Sequence, residues 1–159
     1  MSDTDDEFMD IRVSLKHAQA VSRLLDLASR LGIGQINMIG EAVRMGDIPG
    51  FAVKDDPRYP DKPDLSFETK ERVDALAEAI KQELGYPKNG SYGIGSQNVP
   101  DTAKLGWEVK KVIDQALAYH RDPNPSFKGV NYDGVDSLRY AGGPAPTAQI
   151  VEPEFSPKP

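Results

Sequence analysis

The sequence predicts an α+β fold: about four helices packed on a small antiparallel sheet that an N-terminal strand forms with a late strand, followed by an extended C-terminal tail. Three observations lead there. "FMDIRVSLK" sets Met9, Ile11, Val13 and Leu15 against Asp10, Arg12 and Ser14, the period of two of a half-buried strand. Four later segments place their apolar residues at helical spacing. "SFKGVNYDG" then reads as a short strand that can pair with the first, with Gly129 marking a bulge.

The elements follow in order. Residues 1–8, "MSDTDDEF", form an acidic, flexible lead with no apolar run after it, so no signal peptide is expected. From about Lys16 the period lengthens, and Ala18, Val21, Leu24, Leu25, Ala28 and Leu31 share one helical face that Gly32 is expected to end in a left-handed stop. A short second helix uses Ile36, Ile39, Val43 and Met38 as its buried side, with Gly46 and Pro49 as terminators. Gly40 weakens its interior by about 1 kcal/mol relative to alanine, or else lets another helix approach closely. "FAVKDDPRYPDKPD" carries Pro57, Pro60 and Pro63 at three-residue spacing and reads as an extended crossover, its aspartates being those of a solvated segment.

Ser66 or Thr69 caps a third helix that runs to Leu84 and buries Val73, Leu76, Ala77, Ile80 and Leu84 before Gly85 and Pro87 close it. The fourth starts near Pro100 and reaches His120 through Leu105, Val109, Val112, Ile113, Ala116 and Leu117. Residues 9–140 thus make one domain, and 141–159 a Pro-rich extended tail.

Composition narrows the function classes. A formal charge of −6 and a pI near 4.9 disfavour a protein that tracks a nucleic-acid backbone. Without cysteine there is no disulfide framework, thiol nucleophile or cysteine zinc site. No run of about 18 apolar residues proposes a membrane span, and a cytoplasmic protein is expected. His17 and His120 stand at helix ends, where the plain role is electrostatic. Neither a nucleophile motif, a calcium loop nor a histidine cluster appears, so neither metal nor cofactor is expected and an enzyme is the least favoured class.

Two sites remain. In "GYPKNGSYGIGSQNVPD" the amides of Tyr92, Gly93, Gly95, Ser96 and Gln97 precede a helix N-terminus, an arrangement suited to a nucleotide or other small anion. Asp101 opposes an anion there, and Tyr86 and Tyr92 are expected to pin the loop to the fold. The second site is apolar. At about 100° per residue Trp107 lies about 160° from the face shared by Leu105 and Val109, so it meets another surface: the loop, the tail or a partner. The tail's Ile150, Val151 and Phe155 suit an arm docked on a neighbouring chain, which makes a homo-oligomer plausible, though no periodic coiled-coil seam specifies a number.

"LLDLASRLGIGQINMIGEAV" and "GSYGIGSQNVPDTAKLGWEVKKVIDQALAYHRDP" with the following "VNYDG" are similar to small uncharacterised accessory proteins carried by bacteriophages and prophages, the likeness running from about Val13 to Gly134. That resemblance implies a non-enzymatic protein in an infected or lysogenic bacterial host that binds a host or phage protein, as an inhibitor of a host factor or defence or in assembly. It brings no catalytic residues with it. A small-ligand binder using the loop from 85 to 101 is the alternative.

Overall fold

The structure, a computed structural model, describes residues 9–45, 66–87, 90–135, 140 and 143–151. Among them are the four expected helices, α1 (Leu15–Gly32), α2 (Met38–Met45), α3 (Ser66–Glu83) and α4 (Asp101–Arg121), and a short 3-10 turn at Val130–Tyr132. The described residues contain no strand, so the fold is helical and the expected α+β sheet is overturned. Met9, Ile11 and Val13 lie outside any regular element and are exposed, and Ser14 starts a helix where the alternation still runs. Its hydroxyl accepts the His17 amide proton at 3.3 Å and its carbonyl accepts that of Ala18, which caps α1. The second expected strand curls into the 3-10 turn against α4. Alternation can mark a strand, but only a partner's backbone ladder makes one, and a two-stranded ribbon is marginal by itself.

The chain divides into two compact units, Met1–Ser29 with Pro100–Pro159, and Arg30–Val99. In the first, α1 and α4 run antiparallel. Ser22 donates to Asp114 at 2.5 Å, Lys110 pairs with Asp26 at 3.6 Å, and Ser29 donates to the Ala103 carbonyl at 3.1 Å. The paired positions descend along one helix as they rise along the other, which sets the direction. Lys110 also bonds Asp114 at 2.5 Å, so one cation holds carboxylates from both helices. Ser22, Ser29 and Ala103 at this seam are buried.

The second unit is built on α2 against α3. Gly40 permits that packing, because a Cβ there would stand 2.2 Å from Asp74 Oδ1 and 3.2 Å from the Lys70 carbonyl. Two of the long helices, α1 and α3, end in Schellman turns. At α1 the Gln35 amide reaches the Arg30 carbonyl and the Gly34 amide that of Leu31; at α3 the Tyr86 amide reaches Lys81 and the Gly85 amide Gln82. Gly34 (φ 91°) and Gly85 (φ 75°) supply the left-handed residues. The α1 stop is therefore Gly34 and not Gly32, which stays helical.

Helix boundaries agree with the sequence closely, but burial does not. Val21 and Leu24 on α1, Leu76 and Ile80 on α3, Leu84 just beyond it, and Leu105 and Val109 on α4 are exposed, while Ser22, Ser29, Lys81, Glu108 and Lys111 are buried. The proline-spaced crossover, its aspartates, Gly46, Pro49 and Phe155 lie outside the described residues.

Candidate functional surfaces

α4 has three differently occupied sides. One meets α1 through Ala103, Gly106, Lys110 and Asp114. A second gathers the chain that follows the helix. Lys111 donates to the Val130 carbonyl at 2.5 Å, Gln115 to the Tyr132 carbonyl at 2.9 Å, and the Tyr140 amide to Glu108 at 2.8 Å. Glu108, only 1% exposed, thus spends its carboxylate on the backbone where the tail begins, and Lys111 likewise satisfies a carbonyl. Rings reinforce the same side. Trp107 packs on Tyr140 with centroids 5.5 Å apart and Lys111 sits 5.9 Å from the indole; Tyr119 meets Tyr132 edge-on at 5.0 Å. Trp107 does find a second surface, and in this structure Tyr140 provides it.

The third side is apolar and open. Leu105 and Val109, one turn apart, are exposed, with the half-buried Ile113 a turn further on. In the same unit Ile150 and Val151 of the tail are also exposed, outside any regular element.

The Gly-rich stretch lies in the other unit and at its root is a structured connector. The Tyr86 ring covers Gly34, where a Cβ would meet it at 2.4 Å, and it packs on Tyr92 at 5.5 Å. The Tyr92 amide donates to the Ile33 carbonyl at 2.8 Å, and Gln35 reaches Ser91 at 3.5 Å. The Ser96 amide bonds the Gly93 carbonyl, and Ser96 Oγ accepts the Asn98 amide at 3.2 Å. Gly93, Gly95 and Gln97 are exposed, and Val99 is buried. The Tyr92 and Ser96 amides, two of those expected to cradle an anion, are thus bonded inside the protein.

His17 and His120 lie at the same end of the antiparallel pair, but both are exposed, and His17 Nδ1 lies 2.7 Å from the Ser14 hydroxyl. No group of three histidine, aspartate or glutamate side chains able to hold a metal occurs among the described residues. None of their helices is long and apolar enough to cross a membrane. The buried carboxylate Glu108 and the open Leu105–Val109 side are features that periodicity did not distinguish, because it reads them as neighbours on one amphipathic helix.

The chain matches no protein-family model, no curated protein and no solved structure.

Proposed function

We propose that this chain is a non-enzymatic binding protein of the bacteriophage or prophage accessory kind, which acts in the bacterial cytoplasm by occupying the surface of a host or phage protein. The observation that supports it is the open apolar side of α4, Leu105 and Val109, in a unit whose tail also presents Ile150 and Val151. Water-exposed leucine and valine one turn apart suit an apolar anchor, and an extended arm adds contact area. The net charge of −6 favours encounter with a basic surface, including the nucleic-acid-binding face of another protein.

The test is affinity capture from infected and uninfected host lysates with the full chain and with the Leu105→Glu/Val109→Glu double variant, followed by native mass spectrometry. One stoichiometric protein retained by the parent chain and lost by a folded double variant is the expected result. Equal retention by both would reject α4 as the binding face. A bound mass of nucleotide size in the purified parent would instead favour a small-ligand protein.

A further inference from the structure

We infer that two copies of this chain pair through α3, the exposed apolar stripe of one copy lying antiparallel against the same stripe of the other. Val73, Leu76 and Ile80 recur at spacings of three and four. Leu84 continues the row just past the helix end, where its amide still bonds the Ile80 carbonyl at 3.0 Å. At about 100° per residue the four fall within an arc of about 80°. Leu76 is 65%, Ile80 47% and Leu84 62% exposed, and Val73 is half-buried. Covering such a row removes apolar surface from water.

The two edges of the stripe differ. One is covered: Ala77 and Lys81 are buried there, and Asp74 lies against Gly40 of α2. The other is open and charged. Arg72 and Glu83 are exposed and both lie on that edge, within about 90° of the middle of the stripe. They stand near its two ends, about 16 Å apart along the axis, too far to pair within one helix. The other charges between Lys70 and Glu83 are placed elsewhere. Lys70 pairs with Asp74 and Lys81 with Glu78, while Glu71 lies on the side opposite the stripe.

The charged edge is its own complement, which selects a second copy as the occupant. A two-fold axis that reverses the helix sets like edge beside like edge and runs one of them backwards. Leu76 then stands opposite Ile80 of the second copy, Val73 opposite Leu84 and Arg72 opposite Glu83, each pair level to within about 1.5 Å, the rise of one residue. The Arg72–Glu83 pair forms twice, and the five donors of a guanidinium let Arg72 take a carboxylate from another chain alongside any bond it makes in its own. A parallel pair would instead lay the charged edge against the covered one, so charge fixes the direction as well as the occupant. α3 belongs to the second unit and the open side of α4 to the first, so this inference goes beyond the partner reading and stands or falls separately from it.

The experiment is analytical ultracentrifugation and native mass spectrometry of the full chain over a dilution series. It compares the parent with Leu76→Glu, Arg72→Glu, Glu83→Arg, the Arg72→Glu/Glu83→Arg double variant, and an equimolar mixture of the two single charge variants. The parent is expected to dimerise and Leu76→Glu to dissociate at least about tenfold more readily. Each single charge variant sets like charges opposite each other twice and should dissociate at least about threefold more readily. The double variant and the mixture restore opposite signs and should regain dimer. A parent that stays monomeric, a Leu76→Glu variant that dimerises like the parent, or a double variant and mixture no tighter than the single charge variants would each overturn the proposal. Circular dichroism checks that the variants fold; all three positions are exposed, and Leu76→Ser replaces Leu76→Glu if a glutamate there disturbs α3.

Discussion

At the scale of single residues, the clearest electrostatic feature is Lys128, whose ammonium sits 5.5 Å from the centre of the Tyr119 ring. Its pKa is raised above the usual lysine value by the hydrogen bond to Tyr119 and then by the charge of that phenol when ionised. The sign follows from linkage. A raised folded-state pKa means that charged Lys128 favours the fold at every pH below the ordinary lysine value, and that this contribution fades as pH climbs through the raised one. Lys128 is fully exposed, so solvent screening keeps this contribution small, and its loss is seen only on alkaline titration. Nitrogen-detected NMR should show the Lys128 amine titrating later than other exposed lysines, and Tyr119→Phe should bring it back among them. An unchanged midpoint in Tyr119→Phe would place the cause elsewhere. Tyr86 shows how a residue's role can be legible while its target is not. Its aromatic ring near loop glycines announces a packing role, but that it covers Gly34, far away in sequence, follows only from the two helix ends meeting.

At the scale of elements, two helical glycines that look equivalent in the sequence behave oppositely. Gly40 lies against Asp74 and the Lys70 backbone, whereas a Cβ on Gly106 would meet Leu25 at 3.5 Å and Ser29 at 3.6 Å, ordinary contact distances. Gly40→Ala is expected to force α2 from α3 and cost about 1–3 kcal/mol. Gly106→Ala is expected to be neutral or to gain up to about 1 kcal/mol from helix propensity. Urea denaturation of both variants decides the matter, and equal effects would contradict the packing described here. The reason sequence alone cannot separate them is that propensity is a property of one helix and close approach a property of two. The same distinction explains the misjudged faces of α1, α3 and α4. Hydrophobic spacing groups Val21 with Leu25, or Leu105 with Val112, but a helix with a wide apolar arc has more than one side that could be covered.

At the scale of the whole molecule, the organisation is two compact units, the C-terminal segment belonging to the first. Glu108 and Trp107 hold that segment at Tyr140, while Ile150 and Val151 beyond it are exposed. Removal of residues 143–159 is therefore expected to shift the melting temperature by no more than about 2 °C while weakening capture of the proposed partner. A large fall in melting temperature would mean that the tail contributes to the fold. Glu108→Ala, in contrast, leaves the Tyr140 amide without its carboxylate acceptor and should lower the melting temperature measurably.

By itself the sequence determined the four helices of the described residues, most of their ends, the Pro-rich composition of the tail and the fastening role of the loop tyrosines. These depend on local chemistry: apolar spacing at 3.6 residues, prolines that cannot continue a helix, and glycines that accept left-handed turns. The tertiary structure alone decided that Met9–Leu15 has no strand to pair with among the described residues, that Gly34 and not Gly32 ends α1, and that serines and charged side chains are buried along α1 and α4 while Leu24 and Leu105 stay exposed. Each of those outcomes depends on which distant segment arrives at a given face. Pairing of that kind is a relation between two places in the chain, and no local pattern at either place contains it.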